Sequence, residues 1–109
     1  MGKIYLLVKW GDGENPEFKI GITRGLVENR VKSLQTGNGQ HIDILQVFET
    51  DYFTKIEKNL HTMYKSKATE SGGTEWFNLS DDDLKNFQNH CERFHNMYVS
   101  LTNSGNPFI

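Results

Sequence analysis

Apolar residues along this chain fall into runs of two different periods, separated by polar segments rich in turn formers. The first run, about Lys3 to Trp10, is dense in β-branched and aromatic residues. Its centre, Tyr5-Leu6-Leu7-Val8, is apolar without alternation, which predicts a strand covered on both faces and therefore central. Gly11 to Glu17 is nearly all turn chemistry, and a second strand-like run extends from about Glu17 to Thr23. Two such runs around a Gly/Asn/Pro segment predict a β-hairpin. Gly21, inside the second run, marks a bulge, a close backbone approach or the crossing of a helix.

The period then changes. Leu26, Val27, Val31 and Leu34 recur at helical spacing, predicting a helix over about 26–35 that Thr36-Gly37-Asn38-Gly39 stops. Ile42 to Thr50 is a third strand in which Leu45 and Gln46 blur the alternation, as a bulge would. Asp51 is an N-cap candidate for a second helix, about Tyr52 to Lys65, with Phe53, Ile56, Leu60, Met63 and Tyr64 as its buried stripe. Lys65 to Thr74 is polar and is expected to be a mobile loop. Glu75 to Leu79 is a short apolar segment, either an edge strand or a buried clip. Ser80 and Asp83 form a capping-box-like start for a third helix, about Asp81 to Leu101. There Leu84, Phe87, Cys91, Phe94, Tyr98 and Leu101 step by threes and fours, a heptad seam that suits core packing or a homodimer face.

These elements predict an α/β (α+β) fold, a small three-stranded antiparallel sheet flanked by helices. At 109 residues the chain is expected to form a single domain over 1–101 with a C-terminal tail at 102–109. Hydrophobic content is only 36% while aromatics reach 12%, so a few large side chains must supply most of the burial. The lone Cys91 excludes an internal disulfide. With no run long enough to span a membrane and no signal-peptide pattern, the expectation is a soluble cytoplasmic protein.

Charge alters this picture only locally. The net charge of −2 leaves no global electrostatic footprint for nucleic acid. Residues 1–40, however, carry six Lys/Arg against four Asp/Glu, and residues 41–79 carry four against six. The basic excess thus lies with the hairpin and first helix, where it serves either a phosphate-facing surface or ordinary solvation. Antiparallel neighbours bring Tyr5, Lys19 and Gly21 close together, and Arg30 comes next on a helix packed against them. A hydroxyl, an amine and a guanidinium then converge. Each has a plainer reading as well: Tyr5 as core, Lys19 as an outward strand lysine, Arg30 as a snorkelling stem. Glu57 and His61 are four apart and share a helix face at the border of the buried stripe. A lone glutamate facing a basic site suits Mg²⁺ or Mn²⁺, which binds one or two carboxylates plus phosphate oxygens and water; otherwise Glu57 is a solvated helix residue. His61 fits hydrogen bonding or proton transfer better than ligation. Glu75 is a second carboxylate candidate. His90, Cys91 and His95 lack metal-ligand spacing and belong to structure.

Ile4-Tyr5-Leu6 followed by Lys19-Ile20-Gly21 resembles the paired strands of the GIY-YIG nuclease superfamily. Arg30 with Ser33-Leu34-Gln35-Thr36-Gly37-Asn38 resembles its helix arginine, and Ile56-Glu57 with Leu60-His61 the helix of its metal-binding glutamate. Glu75-Trp76-Phe77 resembles a closing motif of its compact, phage-associated branch, which includes the meiotically up-regulated gene 113 family. Lys3 stands where that pattern has its first glycine, and Lys19 where it has its second tyrosine. The resemblance implies a metal-dependent DNA endonuclease. Tyr5 would deprotonate or orient the nucleophile, Arg30 stabilise the scissile phosphate and Lys19 contact phosphate. Glu57 would hold one divalent cation, with His61 as a further catalytic group. Gly21, Lys32 and Asn78 would contact substrate. The alternative is a catalytically weak or inactive module of this type that binds nucleic acid or a protein partner.

Overall fold

The computed structural model describes residues 1–10, 15–35, 41–69 and 76–105. Among the described residues four strands form one sheet: β1 (Gly2–Trp10), β2 (Glu17–Thr23), β3 (His41–Thr50) and β4 (Trp76–Phe77), in the order β3-β1-β2-β4. Every pairing is antiparallel. The expected α+β architecture is present, with one strand more than three. The segment after Glu75, open between strand and clip in the sequence, is the strand that pairs Phe18 with Phe77 and Lys19 with Trp76. Leu45 is the bulge: Leu6 pairs with Gln46 but Leu7 with Ile44, leaving Leu45 unmatched.

β1 is central, and its alternate side chains feed two cores. Ile4, Leu6 and Val8 join Phe18 and Ile20 beneath α2 (Phe53–Met63) and α3 (Asp81–Asn103). Tyr5 and Leu7 join Val27 of α1 (Val27–Gln35), Ile42 and Trp76 on the other face. The uninterrupted apolar centre of β1 results from this burial on both sides.

The element ends depart from expectation in places. Leu26 lies before α1 and is 58% exposed, and its carbonyl accepts the Asn29 amide at 3.2 Å. Asp51 does not cap α2. The Thr50 hydroxyl accepts the Tyr52 amide at 3.1 Å, and Asp51 faces the terminal amine at 3.6 Å. α2 ends at Met63, which is 41% exposed and not part of the buried stripe. Beyond it, Lys65–Lys67 forms a 3₁₀ turn and Ala68 pairs with Phe77, so the first part of the expected loop, 65–69, is ordered against β4, while 70–74 lie outside the described residues. α3 begins with the expected box: Ser80 accepts from the Asp83 amide and Asp83 accepts from that of Ser80. It runs on to Asn103. Phe87 and Cys91 are fully buried, while Leu84, Phe94 and Tyr98 pack half-buried against the same core. The seam therefore serves the chain's own core. The turn at Gly11–Glu14, the helix stop after Gln35, the carboxylate Glu75 and the last four residues lie outside the described residues.

Candidate functional site

The hairpin register sets the first part of the site. Tyr5 pairs with Gly21 and Leu7 with Lys19, and directly paired residues project from the same face. Tyr5, Gly21 and Lys19 therefore share the face that α1 covers. A Cβ placed on Gly21 would lie 2.5 Å from Tyr5 Cζ and closer still to the hydroxyl. The phenol thus lies flat across residue 21, and only the absence of a side chain admits it. Tyr5 is 1% exposed and Lys19 6%. Trp76, paired with Lys19, closes over it with Lys19 Nζ 5.6 Å from the ring centroid. Lys9 Nζ stands 4.3 Å from the same ring and pairs with Glu17 at 3.3 Å. Two ammonium groups thus lie within cation–π reach of one indole.

Arg30 and Lys32 come from α1, on the same layer. Val27 is buried and Val31 and Leu34 half-buried toward the sheet, while Arg30 and Lys32 are exposed. Both have further interactions of their own, as do Lys19 and Glu57. The turn into α1 is tied down by Lys3 Nζ, which donates to the Gly25 carbonyl at 3.0 Å, and by the Gly25 amide, which donates to Thr23 Oγ1 at 3.1 Å.

Glu57 and His61 arrive from the other layer. The stripe Phe53, Ile56 and Leu60 presses α2 onto the face opposite Tyr5, with β2 as its main strand neighbour. Contact with the Tyr5 face is available only around the outer edge of β2. That edge is paired to β4 at Phe18 and Lys19, and directly beyond, at Ile20, His61 Nε2 lies 2.9 Å from the carbonyl. A carbonyl only accepts, so Nε2 carries the proton. His61 thus extends the pairing of β2 by one hydrogen bond, between Lys19 and Gly21. Glu57 stands half-buried one turn earlier on the same helix. The structure therefore unites Tyr5, Lys19 and Gly21, sets Arg30 and Lys32 on their layer, and leaves Glu57 and His61 on the far side of a shared edge.

Asn78 belongs elsewhere. It lines a cleft of about 500 Å³ with Asn15, Ser80 and Asp81 at the start of α3. Among the described residues no group of three or more His, Cys, Asp or Glu gathers to hold a metal. Glu57 fits a divalent cation only in the mode in which phosphate oxygens and water complete the shell.

The groups with displaced protonation lie under α2 and α3. Burial, then the negative charges of Asp83 and Cys91, pushes the Tyr64 phenol up to about 12. Burial, then Glu92, pushes the Cys91 thiol up to about 12. Burial and the charge of Arg93 lower His90. For Asp83 burial is the largest influence and favours the neutral acid. Hydrogen bonds from Lys67 and Ser80 outweigh it and hold the carboxyl below its usual range.

The sequence left Trp76 in an edge strand or a buried clip, with no sign that it sits on the Tyr5–Lys19 face. The signal was available only through the register of β2 with β4, which a two-residue strand does not announce. The T5orf172 domain model matches residues 2–92. That domain is found in phage-associated and GIY-YIG-related endonuclease-like proteins. No curated protein and no solved structure matches the chain.

Proposed function

Because this chain belongs to the T5orf172 domain family, we propose that it is a metal-dependent endonuclease of GIY-YIG type that hydrolyses DNA phosphodiester bonds. The observation that carries the reading is the Tyr5–Gly21 contact beside Lys19, with Arg30 on the same layer. A glycine kept bare so that a phenol can lie across it is costly for packing alone, because glycine weakens a strand. Tyr5 would orient or deprotonate the attacking water through its hydroxyl. Lys19, fixed against Trp76, would present a positive charge where phosphate oxygens approach. Arg30 would stabilise the charge that develops on the phosphorus oxygens. Glu57 would hold the cation at the β2 edge. A bound Mg²⁺ or Mn²⁺ would supply Lewis acidity and an acidified water.

A plasmid-nicking assay with Mg²⁺ or Mn²⁺ tests this. Arg30→Ala should reduce cleavage by roughly 10²- to 10³-fold, the scale of losing one transition-state donor. Its melting temperature should barely move, since an exposed arginine contributes little to packing. Glu57→Gln should keep DNA binding and lose metal-dependent cleavage; cleavage at the wild-type rate would remove the metal role from Glu57.

One observation favours a second reading. Tyr5 and Lys19 are almost wholly enclosed, which suits a module of this family that binds nucleic acid without cutting it. Wild-type protein that binds duplex DNA yet leaves plasmid intact with either metal would decide for that reading.

A further inference from the structure

We propose that the groove between the end of α2 and residues 68–69 is a second phosphate-binding site, holding the DNA backbone beside the position of cleavage. This rests on the nucleic-acid reading above and extends it to a surface beyond the Tyr5 face. The groove encloses about 480 Å³ and is lined by Lys58, His61, Lys65, Ala68, Thr69 and Phe77 among others, with no acidic residue among the described lining. Lys58 and Lys65 are exposed, and neither side chain has an ion pair among the described residues. Basic residues near a helix C-terminus are also expected simply to offset its dipole. Thr69 adds an independent signal: its Oγ1 is buried in the groove wall and has no hydrogen-bond partner among the described residues. A buried hydroxyl left unmatched is costly, and a turn of the Thr69 side chain toward an anionic oxygen in the groove would satisfy it.

Position supports DNA as the anion. His61 forms one wall of the groove with its ring edge-on to Phe77, centroids 5.3 Å apart. Its Nε2 holds the carbonyl of Ile20, the residue between Lys19 and Gly21. The groove and the Tyr5 face are therefore the two sides of one strand edge, and α2 delivers Glu57 and Lys58 at adjacent positions beside it. A backbone crossing that edge would pass from the face on which α1 carries Arg30 to the lysines of the groove.

The test is binding of a fluorescent duplex by anisotropy in EDTA, over a range of salt, so that it does not depend on cleavage. Each phosphate contact contributes about 0.9 to the slope of log affinity against log salt. Lys58→Ala with Lys65→Ala should weaken binding by about tenfold or more and lower that slope by about two. Thr69→Val should weaken binding without changing the slope. Lys85→Ala with Arg93→Ala removes two charges from the exposed side of α3 and should do neither. Equal effects in the two double variants would mean that only net charge matters and would overturn the proposal. So would wild-type affinity in the groove variant, and in that case cleavage abolished by Glu57→Gln would still support the endonuclease reading. A wild-type protein that binds no duplex would overturn both.

Discussion

Gly21 is the residue at which fold and candidate chemistry meet. Its partner across the hairpin is Tyr5, whose ring occupies the volume of a side chain at position 21. Tyr5 is itself enclosed and has nowhere to swing. Gly21→Ala should therefore cost about 1–3 kcal/mol, the usual range for an overpacked core site. A double-mutant cycle isolates the cause. In a Tyr5→Ala background the ring is gone, and the added methyl should cost less than about 0.5 kcal/mol. The same penalty in both backgrounds, read from denaturant unfolding, would show that residue 21 is glycine for its backbone and not for the phenol. The sequence allowed a bulge, a close approach or a crossing helix at this position. The structure selects the close approach, and by a side chain sixteen residues upstream.

At the scale of elements, legibility tracked the range of the interactions. The hairpin was readable because its period and its turn residues are local. α3 was readable because a capping box and a heptad seam sit within its own residues. The start of α2 was not, because Asp51 looks like a cap in isolation. No side chain caps that helix; the Thr50 hydroxyl instead accepts the amide of Tyr52, the residue before it, and lies 2.8 Å from Nδ1 of His95, far along the chain. The side of the sheet that α2 occupies was also hidden. A helical stripe says which face of the helix is buried, not which face of the sheet buries it, and so Glu57 could be placed at a border but not on a layer. Burial along α3 now grades its stability. Phe87→Ala should cost about 3–5 kcal/mol, as for a fully enclosed aromatic. Phe94→Ala, half-buried, should cost about half that, since only the area removed from water contributes. Equal losses at both positions in chemical denaturation would mean that the C-terminal half of α3 is as enclosed as the first. The box at its start has its own pH limit. The Asp83 carboxyl is held below its ordinary value of 3.8. Its contribution is therefore complete above that value and is lost as the pH falls through the folded value.

For the molecule as a whole, the sheet is sandwiched between the helix that carries Arg30 and two helices that enclose most of the apolar volume. The two functions separate accordingly: chemistry is proposed for the α1 face and the β2 edge, and stability resides mainly under α2 and α3. Two ionisable groups report on that second core. The thiol of Cys91 ordinarily ionises near 9.0 and the phenol of Tyr64 near 10.0, and in the fold both are raised to about 12. Between those limits the unfolded chain sheds protons that the folded chain retains. Stability is therefore intact below about pH 9 and declines as the pH rises toward 12, by roughly 1.4 kcal/mol per pH unit for each group while it titrates. Tyr64→Phe separates this cause from general alkaline denaturation. The hydroxyl is buried without a hydrogen-bond partner among the described residues, so its removal should leave stability at pH 7 unchanged or raise it by about 1 kcal/mol. The ring still packs, and one of the two titrating groups is gone. The alkaline unfolding midpoint, monitored by circular dichroism, should move upward relative to wild type. An unchanged midpoint would mean that the Tyr64 phenol ionises as readily in the fold as outside it, and that the α2–α3 core admits water where the structure shows it closed.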